Sequence, residues 1–162
     1  MPQLPLDAPA TTSEALARIN AGTHPTIDDL KLMVFLEASG LAAYNELARS
    51  APNDEVRGLL EANGREELAH AHRVAKVIKI LTGEDFPPPS AEDNRYVGPI
   101  GRPLDRDLLN YLVAAEDNGE TLYRTWAENI GNAEAAELLR QNGKEELRHG
   151  ERAKQAADLL PA

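Results

Sequence analysis

Four glutamates in this chain are placed where a carboxylate is expected to face a protein core. Each interrupts a stripe of apolar residues that recurs with the spacing of a helix. Burying even one unpaired carboxylate costs several kcal/mol, so four together require cations or protons. The pattern therefore predicts a metal centre built from carboxylates. The four residues are Glu37, Glu67, Glu116 and Glu146.

Two of these glutamates are followed three residues later by a histidine, which pairs Glu67 with His70 and Glu146 with His149. Residues three apart lie on one face of a helix, so both side chains of a pair can reach the same ion. Four carboxylates also balance the charge of two divalent cations. One glutamate from each of two helices, with Glu-Xaa-Xaa-His from two others, is the ligand set of di-iron and di-manganese carboxylate bundles.

The chain contains an internal repeat, which a shift of 79 residues reveals without any gap. The shift carries 37–48 onto 116–127 and 59–73 onto 138–152, and it keeps the glutamates, the histidines and two glycines in register. Two blocks that keep one offset indicate a duplicated unit.

Helix-start and helix-stop signals divide each copy into a hairpin of two helices. The first hairpin is expected to occupy about 26–50 and 53–81, and the second about 105–130 and 132–160. Alternating runs of β-branched residues are missing, so the predicted fold class is all-α.

The two carboxylates of each hairpin are expected at one height. Glu37 and Glu67 each lie 15 residues from Pro52, and Glu116 and Glu146 each lie 15 residues from Gly131. Equal distance from the turn of an antiparallel hairpin places two residues at the same level of the bundle.

Between the hairpins, residues 83–103 carry five prolines and three glycines and are predicted to form a loop. Extended at roughly 3.3 Å per residue, such a loop can run the length of a bundle about 40 Å long. This favours a ferritin-like four-helix bundle in which one long crossover joins the two hairpins. We expect residues 26–162 to form the bundle and residues 1–25 an N-terminal extension with a short helix near 13–21.

Composition excludes several other classes of site and partner. The net charge of −10 and the pI near 4.8 argue against binding nucleic acid or an anionic membrane surface. The absence of cysteine excludes thiolate zinc sites and Cys-ligated iron–sulfur clusters. Residues 1–12 lack the basic and apolar regions of a signal peptide, so a cytoplasmic location is expected.

The duplicated glutamate plus Glu-Xaa-Xaa-His resembles the ferritin-like superfamily, and within it the di-iron domains of rubrerythrin and bacterioferritin, over about residues 26–160. The resemblance implies two iron ions, with manganese as the alternative metal. It implies that Glu67 and Glu146 bridge the two ions and that each histidine binds one of them. Tyr44 and Tyr123, seven residues after Glu37 and Glu116, correspond to family tyrosines that donate hydrogen bonds to ligand carboxylates. The implied ligands are Glu37, Glu67, His70, Glu116, Glu146 and His149.

The sequence also departs from the family pattern. Rubrerythrins usually add a Cys₄ rubredoxin-type site, which a chain without cysteine does not have. Their third core helix typically carries a second glutamate where this chain has Gly119, and the next residue, Glu120, is either a seventh ligand or a residue at the rim. Leu68 stands where haem-binding bacterioferritins have methionine, so no haem is expected. Glu66 and Glu145 are off the ligand face and are expected to form outer ion pairs with Arg or Lys.

The resemblance implies an oxidoreductase that reduces hydrogen peroxide or O₂ by cycling its irons between Fe(II) and Fe(III). Such an enzyme would take electrons from an external donor and would form a homo-oligomer. The same ligand set serves three alternatives: a ferroxidase that stores or detoxifies iron, a di-iron oxygenase acting on an organic substrate, and a non-catalytic bundle that metal stabilises.

Overall fold

The computed structural model describes residues 2–161, and over that range the regular structure is entirely helical, with no strand. This confirms the predicted all-α, ferritin-like bundle, and each expected core helix is present to within a few residues. The helices are α1 (Thr12–Asn20), α2 (Ile27–Arg49), α3 (Asp54–Thr82), α4 (Arg106–Asn129) and α5 (Ala133–Asp158). Within the described residues, no helix has a segment long and apolar enough to cross a membrane.

Each core helix begins at a side chain that caps it. Thr26, Asn53, Asp105 and Asn132 all lie in extended backbone, and each accepts a hydrogen bond from a backbone N–H of the first helical turn. Such a cap is worth about 1 kcal/mol because it satisfies an amide that has no partner within the helix. At the other end of α3, Gly83 adopts a left-handed φ of 77°, which a glycine tolerates at no steric cost.

The helices pack as two hairpins related by an approximate two-fold axis. α2 packs on α3 and α4 on α5, and the hairpins join where α3 lies along α5. There, the Asn63 side-chain amide donates to the His149 carbonyl at 3.1 Å, and Asn142 donates to the His70 carbonyl at 3.2 Å. These reciprocal bonds show that α3 and α5 are antiparallel and that the internal repeat is also a structural symmetry.

The crossover between α3 and α4 runs along the outside of α2. Near its start, Glu84 pairs with Lys31 at 3.0 Å. Farther on, Asn94 donates to the Phe35 carbonyl at 2.7 Å, and the Ile100 amide donates to the Glu46 carboxylate at 3.2 Å. Its contacts thus advance from the first turns of α2 towards its last, which confirms the long crossover predicted from the Pro-rich segment.

The N-terminal extension contains α1, which packs against α2 and buries Ala15 and Ile19. At its end, the Asn20 carboxamide accepts a hydrogen bond of 2.9 Å from Asn118 on α4. The short helix therefore spans from one hairpin to the other. The division of the chain at residues 25 and 26 stays a prediction, because α1 shares the apolar core of the bundle.

The core consists of two apolar clusters separated along the bundle axis. On α3, Leu60 belongs to one cluster and Val74 to the other, and on α5 Ala156 and Leu139 are divided in the same way. Burial of each large apolar side chain contributes about 1.5–3 kcal/mol. The polar residues between the clusters are therefore held between two well-packed layers.

Candidate metal centre

The six predicted ligand side chains meet in the gap between the two apolar clusters. All are buried: the glutamates are 4–8% exposed and both histidines are fully covered. No two of the glutamates come from the same helix, as the repeat predicted. Their burial among apolar layers follows from their position on the inward stripes of the helices: Glu37 on α2, Glu67 and His70 on α3, Glu116 on α4, Glu146 and His149 on α5.

Glu67 and Glu146 are each placed between the two histidines. The Oε1 atom of Glu146 is 3.6 Å from His70 Nδ1, and its Oε2 atom is 3.4 Å from His149 Nδ1. Glu67 repeats the arrangement, with Oε2 at 4.0 Å from His70 Nδ1 and Oε1 at 3.4 Å from His149 Nδ1. A carboxylate that turns one oxygen towards each of two imidazoles has the geometry of a bridge between two ions.

Glu37 and Glu116 each lie beside one histidine only. Glu37 Oε2 is 3.6 Å from His70 Nδ1, and Glu116 Oε2 is 3.7 Å from His149 Nδ1. The potential ligand atoms form groups in which all lie within 4.8 Å of one another, among them Glu37–His70–Glu146 and Glu67–Glu116–Glu146–His149. Two groups that share Glu146 give places for two ions.

Three buried atoms of the centre have no hydrogen-bond partner among residues 2–161: His70 Nδ1, His149 Nδ1 and Glu146 Oε2. Buried polar atoms are nearly always paired, so three orphans facing one another need an explanation. Imidazole and carboxylate together suit iron, manganese and similar divalent metals. A metal bound by these atoms would satisfy all three, so the residues present fit a two-metal centre.

The outward nitrogen of each histidine is held by a carboxylate of the opposite hairpin. His70 Nε2 is 3.1 Å from Glu145, and His149 Nε2 is 3.0 Å from Glu66. Sequence reasoning expected Glu66 and Glu145 in outer ion pairs with basic residues, and the structure confirms this: Arg152 binds Glu66 at 2.9 Å and Arg73 binds Glu145 at 2.6 Å.

The contacts from Glu66 and Glu145 to the histidines were missed. The sequence did contain a signal for these contacts, because the internal repeat aligns Glu66 with Glu145 just as it aligns the two histidines. A carboxylate in this position fixes the imidazole so that Nδ1 faces the four buried glutamates.

Two tyrosines cross between the hairpins to reach the remaining glutamates. The Tyr44 hydroxyl donates to Glu116 Oε1, and the Tyr123 hydroxyl donates to Glu37 Oε1. Each glutamate thereby keeps its second oxygen facing a histidine. The expected pairing of tyrosine with ligand carboxylate is present in both halves.

A family model described as Rubrerythrin matches residues 29–157, which contain every residue of this centre. The chain belongs to the rubrerythrin family. Searches of curated proteins and of solved structures each gave no match. Family membership and the clustered carboxylates and histidines together indicate a metal centre of the di-iron carboxylate type.

The pKa shifts in this rubrerythrin-family chain show that the centre favours added positive charge. Burial, together with repulsion from Glu37 and Glu116, raises the pKa of Glu67 well above its usual value. Burial alone would lower the pKa of His149, but Glu116, Glu146 and Glu67 raise it to about 12. Positive charge, from protons or from metal cations, therefore stabilises this buried cluster of carboxylates.

The pKa of the carboxylate beside His70 is shifted in the opposite direction. Contacts with His70, then with Arg73, lower the pKa of Glu145 to about 2 despite the burial that opposes this. The carboxylates that support the histidines therefore stay ionised, and they are ready acceptors for the Nε2 protons.

Two glycines of this family member leave room for the carboxylates of Glu67 and Glu146. A Cβ atom on Gly40 would lie 2.9 Å from Glu67 Cδ, and one on Gly119 would lie 3.2 Å from Glu146 Cδ. Gly119 occupies the position where rubrerythrins typically have a second glutamate. In this chain a side chain there would press on Glu146, so both halves of the centre keep the same ligand types.

Glu120, considered above as a seventh ligand, is placed away from the centre. Its Oε1 atom accepts a hydrogen bond of 3.1 Å from Arg124, one helical turn farther along α4. It belongs to none of the groups of potential ligands within the described residues. The structure therefore supports the alternative of a rim position, in which the carboxylate pairs with an arginine at the surface.

Proposed function

We propose that this chain is a non-haem di-iron oxidoreductase that reduces hydrogen peroxide or O₂. The observation that carries the proposal is the pair of bridging carboxylates, each with one oxygen near each histidine. In the proposed assignment, Glu37 and His70 hold one ion, Glu116 and His149 hold the other, and Glu67 and Glu146 bind both.

Two adjacent irons, when bound, supply two electrons, which is the number that the reduction of a peroxide O–O bond consumes. Manganese is the alternative metal, since the donor set suits either ion. The sequence contains no cysteine for a second, Cys-ligated iron site, so the electrons must come from a donor outside these 162 residues.

The surrounding side chains keep the ligands in place during such a cycle. Glu66 and Glu145 hold the histidines through Nε2, so that each imidazole keeps its Nδ1 atom towards the centre. Tyr44 and Tyr123 hold one oxygen each of Glu116 and Glu37. Burial raises the pKa of both tyrosines, so their hydroxyls stay protonated and remain hydrogen-bond donors at neutral pH.

Metal analysis followed by rapid mixing tests this proposal. Protein loaded with Fe(II) without oxygen should hold about two irons per chain. On mixing with one equivalent of hydrogen peroxide, the iron should oxidise faster than on mixing with an equal concentration of O₂. Absence of bound iron, or no oxidation by either reagent, would refute it.

The ferroxidase and storage alternative predicts a different iron titration. A storage protein would take up many irons per chain and would form a large hollow oligomer. An end point near two irons per chain excludes storage, and light scattering on the same sample gives the size of the expected homo-oligomer. The expected cytoplasmic location can be tested by cell fractionation.

A further inference from the structure

A cleft between α2 and α4 leads from the surface to the metal centre. It has a volume of about 360 Å³, and the carboxylates of Glu37, Glu67, Glu116 and Glu146 form its floor. α1 closes one end of it. The walls are largely apolar, and they include Leu16, Met33, Leu36, Ala43, Leu112 and Leu122.

The cleft is much larger than hydrogen peroxide or O₂. One molecule occupies about 30 Å³ in liquid water, so at the same volume per heavy atom a two-oxygen molecule fills about 60 Å³. The remaining volume has room for on the order of ten more non-hydrogen atoms. Cavities of this size with apolar walls and a few convergent polar groups are typical of sites for small organic molecules.

The distribution of polar groups within the cleft indicates what such a molecule looks like. Charged groups are confined to the floor, and the polar side chains near α1, such as Asn20 and Asn118, bind one another. Among the described residues, the walls carry no charged side chain and few polar ones, so they replace little of a cation's water shell, whereas covering a hydrocarbon group lowers the free energy. The favoured ligand is uncharged, with an apolar body and a reactive group at the end that meets the carboxylates.

We propose that the cleft binds an organic hydroperoxide, ROOH, with its hydrocarbon group against the walls and its peroxide group at the floor. This rests on the proposed function and specifies its substrate class. The O–O bond breaks as ROOH takes up two electrons and two protons, which gives ROH and H₂O. The electrons are the two that the reduced centre supplies, and an external donor replaces them; the protons come from solvent.

A matched pair of variants on α4 tests the cleft. Ala115 lines it, whereas Ala114, its neighbour in the chain, is exposed and outside it. Both are exposed alanines on one helix, so Ala115→Phe and Ala114→Phe should fold equally well, and thermal melts check this. Only Phe at position 115 should occupy the cleft, because adjacent residues on a helix differ by about 100° in direction.

Two measurements then separate the variants. The first is calorimetric binding of 2-phenyl-2-propanol, the alcohol product of cumene hydroperoxide, to the anaerobic Fe(II) protein. The second is the ratio of the rate constants for oxidation by cumene hydroperoxide and by hydrogen peroxide. Ala115→Phe should weaken binding and lower the ratio, each at least tenfold. Ala114→Phe should match the unaltered protein in both.

The outcomes distinguish this inference from the proposed function. If the unaltered protein reacts with hydrogen peroxide but does not bind the alcohol, the inference is wrong and the proposed function stands. The same holds if Ala115→Phe leaves binding and the ratio unchanged. Should the unaltered protein react with neither peroxide, both proposals fall.

Discussion

The two hairpins agree on their inner faces and differ on their outer ones. Inside, each supplies a glutamate, a Glu-Xaa-Xaa-His pair, a tyrosine and a supporting carboxylate with equivalent contacts. Outside, Leu32 on α2 is 1% exposed, whereas its counterpart under the repeat, Tyr111 on α4, is 62% exposed. Phe35 is buried against Phe86 of the crossover, and its counterpart Ala114 faces solvent.

This difference follows from what covers each helix. The crossover and α1 both pack on α2, so its outer face is apolar and α2 is almost wholly enclosed. α4 has no such cover within the described residues, and smaller or polar side chains are found there. The metal centre requires the same residue types on the inner faces of both hairpins. Because the crossover and α1 cover α2 but not α4, the outer faces of these two helices carry different residues.

Removing a bridging carboxylate should have the largest effect, and it should be the same in both halves. Glu67→Ala and Glu146→Ala each take a ligand from both ions, so each should reduce bound iron from about two per chain to less than one. The stabilisation that metal binding gives to the folded state should disappear with it. Metal analysis and thermal melts with and without Fe(II) measure these effects.

The metal-free protein provides the control for the bridging variants. There, Glu67→Ala should raise the free energy of unfolding by about 1 kcal/mol at neutral pH, because folding then no longer has to protonate a buried carboxyl group whose pKa the folded state raises. If one bridging variant kept both ions while the other lost them, the two halves would not be equivalent.

The outer faces should respond unequally to substitution. Leu32→Ala removes a buried side chain from the core and should lower the free energy of unfolding by about 2–5 kcal/mol. Tyr111→Ala changes an exposed position and should alter it by less than about 0.5 kcal/mol. Urea unfolding of both variants in the same metal state makes the comparison. An equally large loss of unfolding free energy in Tyr111→Ala would show that another molecule, such as a second copy of the chain, covers α4 in solution.

Much of the symmetry between the two hairpins could be predicted from the sequence. The equal distances from Pro52 and Gly131 were enough to place the two carboxylates of each hairpin at one level, and the offset of the repeat made the two hairpins equivalent, because helix geometry determines height and face. The Pro-rich segment was long enough to run the length of the bundle, which favoured a crossover. These features depend on the number of residues between positions, which can be counted directly in the sequence.

The contacts that depend on which helices are neighbours could not be predicted in the same way. Glu66 lies about 100° from Glu67, but only the packing of α3 on α5 shows that His149 is in that direction. For Glu120, the choice between the centre and the rim depended on whether Arg124 would pair with it. The cleft, likewise, exists because α2 and α4 stand apart, and no pattern in either helix specifies that separation.

The supporting carboxylates should have an intermediate effect, again equal in the two halves. Glu66→Ala frees Nε2 of His149, and Glu145→Ala frees Nε2 of His70. Loss of such a support typically weakens metal binding about 10–100-fold. Titration with Co(II), followed by its visible absorption, measures the affinity.

Glu137→Ala is the matched control for the supporting carboxylates. Glu137 is on α5, and within the described part of the chain its one ion pair is with exposed Arg140 at 3.7 Å, so its removal should leave the affinity unchanged. Unchanged affinity in Glu66→Ala as well would show that His149 is held by packing rather than by its hydrogen bond.

The smallest expected effect is on metal affinity when a glycine beside the centre is replaced by alanine, and here the two hairpins should differ slightly. Gly40→Ala brings a Cβ atom closer to Glu67 than Gly119→Ala brings one to Glu146. A bridging carboxylate forced off its preferred rotamer costs of order 1 kcal/mol, which corresponds to about fivefold in metal affinity for Gly40→Ala and less for Gly119→Ala. The same Co(II) titration resolves this, and a larger effect of Gly119→Ala would contradict the placement of the two carboxylates.

The reciprocal bonds between Asn63 and the His149 carbonyl, and between Asn142 and the His70 carbonyl, have a consequence for how such a chain can arise. The two hairpins contact each other through equivalent surfaces, as two identical subunits do about a two-fold axis. One hairpin alone carries half of the ligands and can complete the set only with a second hairpin. The fold is thus compatible with descent from a short ancestral chain that assembled in pairs, with the crossover marking the point where two copies became one gene product.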